Sequence, residues 1–295
     1  MTPVQLLPDT ASTPPTASSP RPLLVLQPRR GWAAINLREL WRYRELLWFL
    51  ALRDVQVRYK QTALGAAWAV IQPLAAMVVF TLFFGHLGGM KKDVPSHIPY
   101  SVFVLAALLP WQLFSFALTQ SSTSLVTNRN LITKVYFPRL LVPLAPLLCG
   151  LVDFAISFLL LLAMMAYFGI VPGLAVLTLP LFLLLALLTS LAVGLWLSAL
   201  NAVYRDVQYT LPFLAQLWLF VTPVAYPSSI VPERWRWLYG LNPMAGVVDG
   251  FRWALLGTGE LSVPLLAASA VSVGVLLVGG LYYFRAMETY FADLV

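Results

Sequence analysis

Apolar residues in this chain come in long blocks, separated by short polar joints. From residue 63 onward six such blocks follow one another, at 63–87, 98–121, 140–168, 174–200, 209–226 and 263–284. A hydrocarbon core needs about 20 apolar residues per crossing helix. The pattern therefore predicts an all-α integral membrane protein with six transmembrane helices. The third block is long enough to tilt. The fifth is short and contains Pro212 and Pro223.

Two regions break this rhythm. Between residues 31 and 61, Leu37, Leu40, Trp41, Leu47, Trp48, Ala51 and Val55 recur at three- and four-residue steps, with Arg38, Arg42, Glu45, Arg53 and Arg58 between them. This spacing predicts an amphipathic helix, or helix pair, lying in the membrane interface with Trp on its apolar side. The second region, 227–262, is of intermediate polarity and rich in Trp, Pro and Gly. Its run Phe251-Arg252-Trp253-Ala254-Leu255-Leu256 is apolar enough to enter the membrane. Short re-entrant helices are expected here, with protein burying their backbone ends. Before residue 31, seven prolines among many Ser and Thr predict a disordered tail over 1–30. Its one apolar run, Leu23-Leu24-Val25-Leu26, is too short for the h-region of a signal peptide. The expected domains are thus the tail, the interfacial helix, a six-span unit over 62–287 and a cytoplasmic end at 288–295.

Composition agrees with the block pattern. The 295 residues are 60% hydrophobic and only 11% charged, with a mean hydropathy of +0.80. A soluble chain carries about 25% charged residues, so an ordinary water-soluble enzyme is excluded. Net charge is +7, and its distribution orients the spans. Nine of the nineteen Lys and Arg lie at or before Lys60. Arg129, Lys134, Arg139, Arg205 and Arg285 fall on the same side of a six-span path. Lys91, Lys92, Arg234, Arg236 and Arg252 fall on the other. Positive loops stay inside, so both termini are expected in the cytoplasm of a multi-pass inner-membrane protein. The lone Cys149 allows neither a disulfide framework nor a cysteine metal cluster.

Catalytic chemistry is sparse. No G-x-x-x-x-G-K-[ST] loop occurs, so ATP and its magnesium are expected on a partner and no cofactor on this chain. His86 and His97 lack the neighbours of a metal site, and none is expected. Asp153 is the only acid in the middle of a span. A single buried acid suits a structural partnership with a helix N-terminus, Ser157 or an interfacial Arg better than a proton relay. Trp68, Gln72, Val79 and Phe83 fall near one face of span one, and Tyr209, Phe213, Gln216 and Phe220 near one face of span five. Gln112, Ser115 and Thr119 share a face of span two. Amides are costly against lipid, so these faces are expected to look inward, toward a pore or another helix. Rings flanked by amides suit sugars, whose C–H faces stack while their hydroxyls bond. Plain helix packing produces the same periodicity.

Four stretches carry a resemblance. They are Leu52-Arg53-Asp54-Val55-Gln56-Val57-Arg58-Tyr59-Lys60, continued to Trp68 and Gln72-Pro73; the basic segment from Asn128 to Arg139; Tyr204-Arg205-Asp206-Val207-Gln208-Tyr209 with Thr222-Pro223-Val224-Ala225-Tyr226-Pro227; and Asn242-Pro243-Met244 with Gly250-Phe251-Arg252. In this order they resemble the transmembrane permeases of ATP-binding-cassette polysaccharide exporters, which export O-antigen, capsule and teichoic acid (Wzm, KpsM and TagG types). The likeness covers about residues 41–284. It implies a homodimer that works with two copies of a soluble ATPase and moves a lipid-linked polysaccharide through the membrane, with no nucleic acid involved. It implies an entry helix containing Arg53, Asp54, Arg58 and Tyr59. It implies ATPase coupling by Arg129, Lys134, Tyr136, Phe137 and Arg139, with Arg205 and Asp206 as a second contact. The channel would be lined by Trp68, Gln72, Phe83, Tyr209, Phe213, Gln216 and Phe220. An outer gate would hold Trp235, Trp237, Asn242, Pro243, Arg252 and Trp253. The alternative is a permease of the same superfamily for a drug or small lipid, which favours a closed apolar pocket. A membrane glycosyltransferase or acyltransferase would need clustered acids, or His with Asp, at the membrane face. The chain offers neither.

Overall fold

The computed structural model describes residues 37–60, 65–258, 261–288 and 291. The tail expected over 1–30 lies outside these residues, as does most of the C-terminal end beyond 288. Every regular element among the described residues is helical. In chain order they are α1 (Leu37–Arg42), α2 (Arg44–Lys60), α3 (Trp68–Phe80, prolonged by a π-helical stretch Thr81–Leu87), α4 (Tyr100–Thr127), α5 (Arg129–Lys134), α6 (Leu141–Tyr167), α7 (Leu179–Val203), α8 (Val207–Val221), α9 (Glu233–Tyr239), α10 (Pro243–Leu256) and α11 (Val263–Glu288).

Five of these are long and apolar enough to cross a membrane: Gly65–Leu87, Tyr100–Thr127, Leu141–Tyr167, Leu174–Val203 and Val263–Glu288. The expected fifth span is shorter than its apolar block. Its helix, α8, has 15 residues, about 22 Å at 1.5 Å per residue, against about 30 Å of hydrocarbon. The chain turns extended at Thr222, and Pro223 removes a donor there.

The second span, α4, is the centre of the bundle. Its best apolar window is 78% buried, against 22–28% for the other four. It packs against α3, α6, α7, α8 and α10. Small residues let the helices approach it and each other. A Cβ on Gly250 of α10 would stand 2.1 Å from the Phe182 ring of α7. Gly279 and Gly280 of α11 accept Trp196 of α7, whose indole donates to the Leu276 carbonyl at 3.0 Å. The main core gathers around α4 and α10, and a smaller one sits at the basic end, joining Leu125, Ile132, Phe137, Leu140 and Phe284.

Local chemistry sets the helix ends. The Asn128 amide donates to the Ser124 carbonyl at 2.9 Å and closes α4. Gly169, at φ 68°, ends α6, and Gly257, at φ 62°, ends α10. At the start of α10, Asn242 accepts the Met244 amide at 3.1 Å, and Pro243 opens the helix.

The entry helix breaks at Tyr43 into α1 and α2. Leu50 and Ala51 are its buried residues, and α2 packs on α6. Trp41, Trp48 and Phe49 point away from the protein.

Candidate functional site

A cavity of about 530 Å³ lies among α3, α4, α6 and α8. Helical spacing brings its walls together. Ala69, Gln72, Ala76 and Phe80 form one face of α3, and Pro212, Ala215, Gln216 and Leu219 one face of α8. From α4 come Trp111, Gln112, Ser115, Phe116, Thr119 and Gln120; from α6 come Gly150, Asp153, Phe154 and Ser157. Four amides from three helices therefore share one space. Gln72 and Gln216 also remain exposed, so the cavity is open on the side of α3 and α8.

Asp153 sits on its wall and finds its partners on α2. Arg58 reaches one carboxylate oxygen at 2.8 Å. The Tyr59 hydroxyl donates to the other. The Arg58 guanidinium lies 4.3 Å over the Phe116 ring. Burial, reinforced by the adjacent Asp153 carboxylate, pushes the Tyr59 phenol well above its ordinary range, so it stays a donor. Close packing supports this corner. A Cβ on Gly150 would meet Leu113 and Phe116 at 3.0 Å, and Ser157 donates to the Ala69 carbonyl at 2.8 Å. Of the three partners expected for Asp153, the interfacial Arg is the one its carboxylate pairs with.

The other expected lining residues lie elsewhere. Trp68, Phe83, Tyr209, Phe213 and Phe220 are not on the cavity wall. They are 50–75% exposed on α3, its π-helical extension and α8. Within one chain Gln72 and Gln216 reach the cavity wall while remaining exposed, and these rings do not reach it. The reason is that α3 and α8 each bury only one narrow side, Ala69, Pro73 and Met77 on α3 and Leu211 and Ala215 on α8, with the amides beside it. The rings that do line the cavity are Phe80, Trp111, Phe116 and Phe154. Periodicity did not single these out, because apolar rings in apolar helices have no contrast.

At the basic end, Arg129, Lys134 and Tyr136 are exposed, Tyr136 by 70%. Phe137 is not: it is 5% exposed and packs in the chain's own second core. It is thereby corrected from a partner anchor to a core residue, because Ile132, Leu140 and Phe284 already cover it. Arg139 donates to the Glu288 carbonyl and ties this segment to α11. Arg205 and Asp206 are exposed at the joint of α7 and α8. The Asn201 amide donates to the Ser122 carbonyl at 3.1 Å, which sets this joint beside the end of α4. Arg53 and Asp54 pair with each other at 2.7 Å.

At the opposite end, Trp235 and Trp237 on α9 are exposed and Trp253 on α10 is half-buried. Asn242 bonds the Trp218 indole at 2.9 Å and the Thr222 hydroxyl at 3.1 Å. Arg252 is 2% exposed. Its guanidinium donates to the carbonyls of Phe103 (3.2 Å), Pro223 (2.6 Å), Tyr226 (3.1 Å) and Val224 (2.5 Å), and stands 3.6 Å over the Phe103 ring. Expected as a gate residue, it is fully buried and clasps the turn after α8 against α4 and α10. A smaller cavity of about 340 Å³ lies beside it, bordered by Arg236, Tyr239, Asp249 and Trp253.

Among the described residues no group of three His, Cys, Asp or Glu is placed to hold a metal ion. The larger cavity has one paired carboxylate and no second acid. Its amides and hydroxyls offer both donors and acceptors.

Comparison with known proteins extends these observations. Residues 45–256 match the ABC-2 type transporter family. An O-antigen export system permease of Myxococcus xanthus is 34% identical over 88% of this chain and 98% of its own length. Its counterpart in Klebsiella pneumoniae is 28% identical over 85% of this chain and 95% of its own. A polysialic acid transport protein of Escherichia coli, KpsM, is 30% identical over 70% of this chain and 80% of its own. With the helical bundle and its apolar spans, these matches show that the chain belongs to the ABC-2 type transporter family, as a membrane domain.

Proposed function

We propose that this chain is the membrane subunit of an exporter that moves a lipid-linked, O-antigen-like polysaccharide out of the cytoplasm across the inner membrane. A separate ATPase, present in two copies, binds ATP and magnesium and drives the movement. The observation that carries the reading is the convergence of Gln72, Gln112, Gln120 and Gln216 on one open cavity. Each amide offers both donors and an acceptor, which suits a hydroxyl-rich polymer. A drug permease would favour a closed apolar pocket, whereas this cavity is open and sets four amides among its apolar side chains. Relatives that carry O-antigen and polysialic acid in their names support the same choice.

Two copies of the chain enclose the path. The exposed Trp68, Phe83, Tyr209, Phe213 and Phe220 then meet the second copy or the polymer rather than lipid. The basic end, with α1, α2 and α5, faces the cytoplasm, with α2 resting on the lipid surface through Trp41 and Trp48. The segment from α8 through Pro227 completes a sixth span, because Arg252 satisfies carbonyls that α8 no longer can. Helices α9 and α10 dip in from the outside and close the path at rest, with Trp235, Trp237 and Trp253 at the interface.

Replacing Gln72, Gln112 and Gln216 together by Leu keeps the volume and removes the hydrogen bonding. Surface polysaccharide, measured in cells, is expected to fall strongly while membrane-inserted protein stays at the wild-type level. Undiminished export would contradict the reading. A second expectation concerns coupling. Tyr136 is the large ring left exposed beside Lys134, and aromatic anchors of this kind dominate interfaces. Tyr136→Ala is expected to weaken co-purification of the ATPase at least about tenfold, a loss of roughly 1.4 kcal/mol or more. An equal yield of complex would assign the contact elsewhere.

A further inference from the structure

We propose that Asp153 keeps the cavity electrically neutral and thereby selects an uncharged glycan over a polyanionic one. The proposal rests on the polysaccharide reading above and sharpens it to a substrate class.

The wall carries amides and hydroxyls: Gln72, Gln112, Gln120, Gln216, Ser115 and Thr119. Arg58 and Asp153 are its only ionisable acid or base among the described residues. They stand 2.8 Å apart, with side chains 35% and 17% exposed. Both oxygens of the carboxylate are engaged, one by Arg58 and one by the Tyr59 hydroxyl. The guanidinium faces the Phe116 ring. Neither charge is presented to the cavity as a free ion.

The consequence follows from solvation. A sugar hydroxyl entering this space exchanges water for an amide at little cost. A carboxylate or phosphate on the polymer loses its water and finds no counter-charge, which is expensive away from bulk water. A wall with a lone cation would behave differently. It would attract cellular anions such as lipid phosphates and hold them in the space, where they obstruct an uncharged polymer that must keep moving. Removing Asp153 alone creates that wall. Removing both partners does not, and an ion pair replaced as a unit is often tolerated.

The test uses the full chain with its ATPase in its own cells. Deleting the gene removes the exported polymer from the surface, and its composition is determined. The expected polymer has no uronic acid, sialic acid or phosphate in its repeat. In complemented cells, Asp153→Asn leaves Arg58 unpaired and is expected to lower export at least about tenfold at normal protein levels. Arg58→Gln combined with Asp153→Asn is expected to recover most of that loss. An acidic repeat would overturn the inference. So would a double variant as defective as Asp153→Asn, since the pair would then matter as a brace and not as a charge. If deletion removes no surface polysaccharide, the functional reading itself fails, which is a separate result.

Discussion

Replacing Arg252 with Met is expected to remove most folded protein from the membrane. Arg252 donates to four backbone carbonyls and covers the Phe103 ring, at 2% exposure. Three of those carbonyls belong to the turn after α8, where no helix satisfies them. Hydrogen bonds from a charged donor contribute about 1.5–3 kcal/mol each, and orphaned carbonyls at membrane depth cost more than in water. A net loss of about 3–5 kcal/mol is the expected scale for breaking one side of a buried charged network. Met fills the volume without donors. Arg252→Lys keeps the charge, but a point ammonium cannot copy the planar fork, so a partial defect is expected. The readout is the fraction of monodisperse protein after detergent extraction, together with its Tm. A Met variant with the wild-type yield and Tm would show that the clasp is dispensable.

The second large effect is steric. Gly250→Ala places a methyl 2.1 Å from Phe182, a ring that is 1% exposed in the main core. The ring cannot turn away, because the core around it is close-packed. Overpacking of this kind costs about 1–3 kcal/mol, read as a lower Tm of the purified protein. Phe182→Leu in the same chain removes the offending edge and is expected to restore part of the loss, giving a coupling between the two sites. Equal Tm values for wild type and Gly250→Ala would mean that α7 and α10 are looser than their contact implies. Independent, additive effects of the two substitutions would mean the same.

Both positions show where reading the chain stops. The run from Phe251 to Leu256 is legible as apolar enough to enter the membrane, with Arg252 expected in an outer gate. The carbonyls it meets at Phe103 lie 149 positions away, and no local period points to them. The partner of Asp153 was legible as a class, an interfacial Arg, because a lone intramembrane acid needs a donor. That Arg58 and Tyr59 divide its two oxygens required the packing of α2 on α6. Phe137 misled for the same reason. A ring in a basic segment looks stranded until α11 and the end of α4 are folded over it.

The sequence by itself determined the all-helical membrane class, the long spans and the family likeness. These rest on length, composition and period, which need only the chain. Tertiary structure decided which helix is central, which amides share a space and which rings stay outside. It alone revealed that Arg252 is a clasp and that the Arg58 charge is cancelled. Each of these depends on groups brought together from distant positions, and burial converts such meetings into energy only after the helices have packed.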